Sequence, residues 1–140
     1  PLRLFRSTTA PSLPFESNAF DLVYAVSVFT HMSDHVDTWL MELRRILRPG
    51  GVLFASINDE HVWSLCAADP NHYITRLCPR LDFSKPLDHD FIAQGTGPNA
   101  QSFWHTDAVR RRWSFAFEAL SFTPGLIDAV QTGVVLRKRD

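Results

Sequence analysis

Residues 20–57 read FDLVYAVSVFTHMSDHVDTWLMELRRILRPGGVLFASI, and this stretch decides the fold. Its opening, Phe20 to Val26, is mostly apolar, rich in β-branched and aromatic residues, and follows the turn-prone Glu16-Ser17-Asn18. Such a run predicts a buried strand, apolar on both faces as a parallel sheet requires. Val36, Trp39, Leu40, Leu43, Ile46 and Leu47 then recur at i, i+3, i+4, i+7, i+10 and i+11, one stripe of a 3.6-residue helix. Ser33 is placed to cap that helix, with Asp34 and Asp37 at its positive amino end and Arg44, Arg45 and Arg48 at its negative carboxyl end. Pro49 removes an amide donor and Gly50-Gly51 admit left-handed backbone, so the helix stops there. Residues 52–57, VLFASI, follow as a second buried strand. Strand, helix, turn and strand make a βαβ unit with a right-handed crossover, and the fold class is α/β.

Around this unit the chain has the size of one domain. Its 140 residues are 45% hydrophobic and 21% charged, which excludes a disordered or collagen-like chain. Lys+Arg of 14 against Asp+Glu of 15 leaves a net charge of -1, so no global footprint for nucleic acid or an anionic membrane exists. No apolar run nears the roughly 20 residues that span a bilayer, and no signal peptide opens the chain. Cys66 and Cys78 lie in a polar stretch, form no metal-type pair, and fit a reducing compartment, by default the cytoplasm. The chain opens on Pro1 and runs at once into apolar sequence, which points to a processed terminus or a missing upstream segment.

Between residues 58 and 102 the periodicity fails. This stretch holds Pro70, Pro79, Pro86, Pro98, Gly95 and Gly97, and its length predicts short helical turns near 62–67 and Tyr73–Leu77. An insertion beyond a strand's carboxyl end is placed to cover a site. Thr106 is then expected to cap a short helix through Phe115, with Val109, Trp113 and Ala116 inward and Arg110, Arg111 and Arg112 outward. Residues 118–123 and 130–136 read as strands, with a turn starting at Pro124-Gly125. Joined this closely, they pair antiparallel. Leu2-Arg3-Leu4-Phe5-Arg6 reads as a further short strand.

Chemistry is expected beyond the carboxyl ends of the strands, where an open α/β sheet binds its ligands. Ser27, Thr30 and His31 lie there after the first strand, equally readable as caps of the next turn. Asn58, Asp59, Glu60 and His61 follow the second strand and read better as a solvated loop. The six histidines make no zinc pattern, Asp88-His89-Asp90 reads as an exposed polar turn, and no metal is expected. No Ser sits in a nucleophile elbow. The arginine runs 110–112 and 137–139 read as solubility features rather than phosphate contacts. Trp104-His105 reads as a core Trp that anchors the insertion, ahead of a substrate wall. A nucleotide fold places a glycine-rich turn after its first strand, and none occurs here.

Three motifs in order carry a family resemblance. Residues 13–24, LPFESNAFDLVY, resemble the approach to the fourth strand of class I S-adenosylmethionine-dependent methyltransferases. Residues 27–32, SVFTHM, are similar to the segment after that strand, and residues 40–51 resemble the helix and Pro-Gly-Gly turn before the fifth. The resemblance implies an incomplete Rossmann-like methyltransferase sheet with a C-terminal antiparallel hairpin, keeping the family's fourth, fifth, seventh and sixth strands in that spatial order. It implies that residues 1–140 are the C-terminal portion of a single methyltransferase domain, with an insertion at about 58–102. The glycine-rich loop and the ribose-binding acid of the family would lie upstream, in a segment on the order of 50–80 residues. The side of the fourth strand would then be an uncovered apolar edge.

By the same resemblance Ala25, Val26 and Ser27 line the cofactor S-adenosylmethionine, with Phe29 and His31 near the methyl-transfer cleft. Asp21, Glu42 and Arg45 come out as structural. Methyl transfer from a sulfonium needs in-line placement above all, and His31 would serve as general base where the acceptor is protonated. The implied activity is methylation of a small-molecule acceptor by the intact protein. The rival readings are a non-catalytic degenerate α/β half-domain that binds a partner through its open sheet edge, and another nucleotide-dependent α/β enzyme.

Overall fold

A computed structural model of the chain describes residues 4–95 and 99–139. In chain order the elements are β1 (Phe20–Ala25), α1 (Val36–Ile46), β2 (Leu47–Ile57), α2 (Glu60–Ala68), α3 (Tyr73–Leu77), β3 (Phe91–Gln94), β4 (Gln101–Trp104), α4 (Thr106–Arg112), β5 (Phe117–Ile127) and β6 (Gln131–Lys138). Single 3-10 turns occupy Phe29–His31 and Trp113–Phe115. The main sheet runs β1-β2-β6-β5. β1 and β2 are parallel, with Ala25 opposite Ala55, and both later pairings are antiparallel. The expected α/β unit, strand order and C-terminal hairpin are all present.

The helical stripe explains the core. Val36, Leu40, Leu43 and Ile46 of α1 are buried with Leu53, Ala55, Val134 and Leu136 of the sheet and with Val109 of α4. Both helices therefore cover the same sheet face. The opposite face is open at β1, where Leu22 is 58% and Tyr24 75% exposed. The expectation that β1 is buried on both faces is corrected: it is an edge strand with one covered side.

Both expected side-chain caps are also corrected. The residue before α1 is His35, in left-handed backbone (φ 55°) and without a side-chain cap, two positions beyond Ser33. The cap of α4 is His105, whose ring accepts the Asp107 amide, while the Thr106 hydroxyl donates to Glu60 at 2.6 Å. The arginines act as clamps within the fold. Arg112 pairs with Asp37 across α4 and α1, Arg111 with Asp90, Arg137 with Glu118, and Arg110 stacks over Phe122. Arg45 pairs with Glu42 and donates to the Leu13 and Phe15 carbonyls, while Glu42 accepts the Leu13 amide at 2.7 Å. The pair fastens the segment leading into β1, and its hydrogen bonds hold the Glu42 carboxyl below its ordinary range.

Pro49-Gly50-Gly51 forms a bulge at the start of β2. Phe20 faces Leu47 and Leu22 faces Val52, so Asp21 alone opposes Arg48 to Gly51. A Cβ on Gly51 would stand 2.8 Å from the Arg48 carbonyl oxygen and 3.2 Å from that of Asp21. Both obstacles are backbone, so Gly51→Ala is expected to cost about 1–3 kcal/mol in chemical denaturation, the range of an overpacked site.

The hairpin turn lies later than Pro124-Gly125, which β5 absorbs at an irregularity in its ladder. Val130 donates to the Ile127 carbonyl at 2.9 Å across Asp128 (φ 53°) and Ala129 (φ 58°), the signs of a type I′ turn. That turn matches the twist of the strands, but it strains Ala129. Ala129→Gly is expected to raise stability by about 0.5–1 kcal/mol, read as a higher melting temperature.

The insertion builds a small core of its own from Val62, Trp63, Cys66, Ile74, Cys78, Phe83 and Phe103. Helices occur at both expected places, and the β3–β4 hairpin is an addition. Phe103 bridges in parallel to Asn58, which carries the insertion past the end of β2. At Leu4–Arg6 there is no strand, and Leu2 and Arg3 lie outside the described residues, as does Gly97.

Candidate functional site

The carboxyl ends of β1 and β2 lie side by side, and the chain departs from each by a different route. After Ala25 and Val26, Ser27 adopts left-handed backbone (φ 54°), at a cost on the order of 1–2 kcal/mol for a residue with a Cβ. Hydrogen bonds hold it there. The Ser27 amide donates to Ser56 Oγ at 2.7 Å, the Ser56 hydroxyl donates to Gln131 Oε1 at 2.6 Å, and Gln131 Nε2 donates to Ser27 Oγ at 3.0 Å. Ser27 Oγ also stands 3.2 Å from Gln131 Oε1. Three strand ends thus meet in one polar ring.

The expected site residues take distinct places around it. Ala25 is buried, its side chain packed in the core. Val26 is 39% exposed and Ser27 half-buried. Phe29 is buried with its ring 5.1 Å from that of Trp113, and its carbonyl accepts the Ser102 hydroxyl at 2.6 Å. Its contribution is to prop the turn from beneath. His31 is half-buried, and its Nδ1 lies 2.8 Å from the Ala100 carbonyl oxygen. A carbonyl only accepts, so a hydrogen on Nδ1 makes that bond, and the Gln101 side-chain amide nitrogen lies 3.2 Å from the same ring nitrogen. Thr30, the remaining hydroxyl here, is buried with Oγ1 unpartnered.

The end of β2 is buried rather than a solvated loop. Asn58 and Asp59 are both buried, and Asp59 caps α2 by accepting the His61 amide at 3.0 Å. Burial pushes the Asp59 carboxyl up, against the pull of the Thr132 hydroxyl and the His61 amide. A native acid raised above its ordinary 3.8 binds protons that the unfolded chain has released, so stability falls as pH climbs through that window. Asp59→Asn keeps an oxygen for the cap and removes the charge. Its melting temperature relative to the parent chain is expected to rise as pH climbs above 3.8 and to level off once the Asp59 carboxyl is ionised in the folded chain. A flat difference would show that the carboxylate is not penalised.

Other candidates resolve structurally. Trp104 is core, stacked near Phe91 and Trp113. Asp88 and His89 form an exposed surface pair, and among the described residues no cluster of His, Cys, Asp or Glu could hold a metal ion. Cys66 and Cys78 are free and buried, and burial pushes the Cys78 thiol to about 11.

Residues 3–55 match the model of the methyltransferase domain family. That match spans β1, α1 and most of β2, the elements whose carboxyl ends frame the ring. Among solved structures, a SAM-dependent methyltransferase from Methanosarcina mazei aligns with 96% of this chain and 66% of its own, at 16% identity and a TM-score of 0.63. The class I methyltransferase fold is this chain's fold.

The 1,6-didemethyltoxoflavin-N1-methyltransferase of Burkholderia thailandensis, whose structure holds S-adenosylhomocysteine, aligns with 89% of this chain and 46% of its own, at 13% identity and a TM-score of 0.53. A probable methyltransferase of Arabidopsis thaliana, PMT28, is 34% identical over 56 residues, 40% of this chain and 8% of the relative. The chain therefore spans two thirds or less of the length of these methyltransferases. Within the methyltransferase fold, sequence reasoning passed over Ser56 and Gln131. Ser56 is a hydroxyl in an otherwise apolar strand run, a local signal that was there to be read. Gln131 gave none, because its partner Ser27 lies 104 residues away.

Proposed function

We propose that the intact protein carrying this chain transfers a methyl group from S-adenosylmethionine to a small-molecule acceptor. Residues 1–140 form the C-terminal portion of its single methyltransferase domain, with the insertion at about 58–102 shaping the acceptor side. The observation that carries this reading is the coincidence of the family match, residues 3–55, with the strained polar turn at Ser27. Strained backbone collects where a fold must present groups to a ligand. Val26 and Ser27 would form the cofactor wall, with Ala25 anchoring it and Phe29 supporting the turn. S-adenosylmethionine supplies an activated methyl group when bound, and Nε2 of His31 would accept the proton of a protonated acceptor. The two buried thiols suit a reducing cytoplasm.

A second reading is favoured by one observation, the edge position of β1 with Leu22 and Tyr24 exposed. On it the chain is a partner-binding module without catalysis. Calorimetry with S-adenosylhomocysteine separates the two. The protein extended through its upstream reading frame is expected to bind, and residues 1–140 alone to bind little or not at all. Micromolar affinity of the short chain would overturn the assignment of a missing cofactor half upstream. No binding by the extended protein would favour the module.

A further inference from the structure

Resting on that reading of the site, we infer that Gln131 is a positioning residue for the cofactor wall, acting through Ser56 on the left-handed turn at Ser27. Each member of the ring has one job. The Ser27 amide has no ladder partner once β1 ends at Ala25, and it donates to Ser56 Oγ. A hydroxyl rotates freely unless something takes its hydrogen, and Gln131 Oε1 takes it at 2.6 Å, leaving a lone pair of Ser56 aimed at the Ser27 amide. The other end of the Gln131 side chain returns a hydrogen to Ser27 Oγ. One amide group thus orients both serines. Its own backbone is fixed where β6 closes the hairpin, with Gln131 opposite Ile127. The C-terminal hairpin therefore does more than complete the sheet: it sets the conformation of a turn that the sheet order alone leaves loose.

Amide hydrogen exchange by NMR, together with S-adenosylhomocysteine affinity in the complete protein, tests this. Gln131→Leu is expected to speed exchange of the Ser27 amide by about tenfold, the scale of one lost hydrogen bond. The Val23 and Leu53 amides inside the sheet should keep their protection. Affinity for S-adenosylhomocysteine should fall by a similar factor. Gln131→Glu should restore both, since a carboxylate accepts from the Ser56 and Ser27 hydroxyls together. Ser56→Ala provides an independent break of the same ring and should repeat the Ser27 effect. Unchanged Ser27 exchange in both Gln131→Leu and Ser56→Ala would overturn the inference. So would a loosened Ser27 turn with unaltered affinity in a protein that binds the ligand, because Gln131 would then be structural only. Absence of binding by the complete parent protein, with Ser27 still loosened in the variants, would support the ring and overturn the methyltransferase reading instead.

Discussion

On the proposed methyl-transfer reading, His31→Ala in the complete protein is expected to lower turnover by about a hundredfold or more, the usual scale of a lost general base, and to leave cofactor affinity unchanged. The reason lies in how the ring is held. Nδ1 lies 2.8 Å from the Ala100 carbonyl oxygen, a tie that holds the ring through one nitrogen and leaves Nε2 as the one that would take a proton. A second variant separates holding from proton transfer. His31→Asn places an amide donor close to the position of Nδ1, so it can keep the tie to Ala100 without offering a base. It should fold like the parent chain and turn over as poorly as His31→Ala. Steady-state kinetics with the acceptor in excess give the answer, and unchanged turnover in both variants would reduce His31 to a latch between the 3-10 turn and the insertion.

Trp113→Ala is the largest expected loss of stability, about 3–5 kcal/mol, set against a total of about 5–15 kcal/mol for a whole domain. The indole is 1% exposed and joins a row of rings, 5.1 Å from Phe29 and 5.6 Å from Trp104. Removing it opens a space beneath the Ser27–His31 segment as well as beneath the sheet. The indole nitrogen has no hydrogen-bond partner, so the residue acts by shape alone. Trp113→Phe should therefore cost clearly less than Trp113→Ala in urea unfolding. Equal losses would show that the ring row depends on the full indole.

Local pattern carried the strand, helix and strand between residues 20 and 57, each written within a few residues, but not the helix stop: α1 ends at Ile46, and Leu47, Arg48 and Pro49-Gly50-Gly51 already belong to β2. It also located α3 within the insertion. It failed where the deciding partner is remote. Ser33 and Thr106 both look like caps, yet the chain enters α1 through a left-handed His35 and the Thr106 hydroxyl goes to Glu60 on another helix. Pro124-Gly125 is a strong turn signal overruled by the pairing of Thr123 with Gly133 and of Ile127 with Gln131. The apolar run of β1 says that its side chains seek cover without saying which side receives it. Around the candidate site, Ser27, Thr30 and His31 were named by position after a strand and Ala25, Val26 and Phe29 through the resemblance, whereas the ring that holds Ser27 spans three strand ends and exists only in three dimensions.

The place of β6 between β2 and β5 has a consequence for synthesis. β2 receives its parallel neighbour from residues already made, but its antiparallel neighbour comes from residues 131–138. While the intervening residues emerge, β2 presents Val52 to Ile57 with one row of amides and carbonyls unmet, the kind of open edge on which nascent chains associate. Burial of Leu53, Ala55 and Ile57 waits on the same event. A ribosome stalled before residue 131 would hold a half-built sheet, still waiting for β6 to lock its centre.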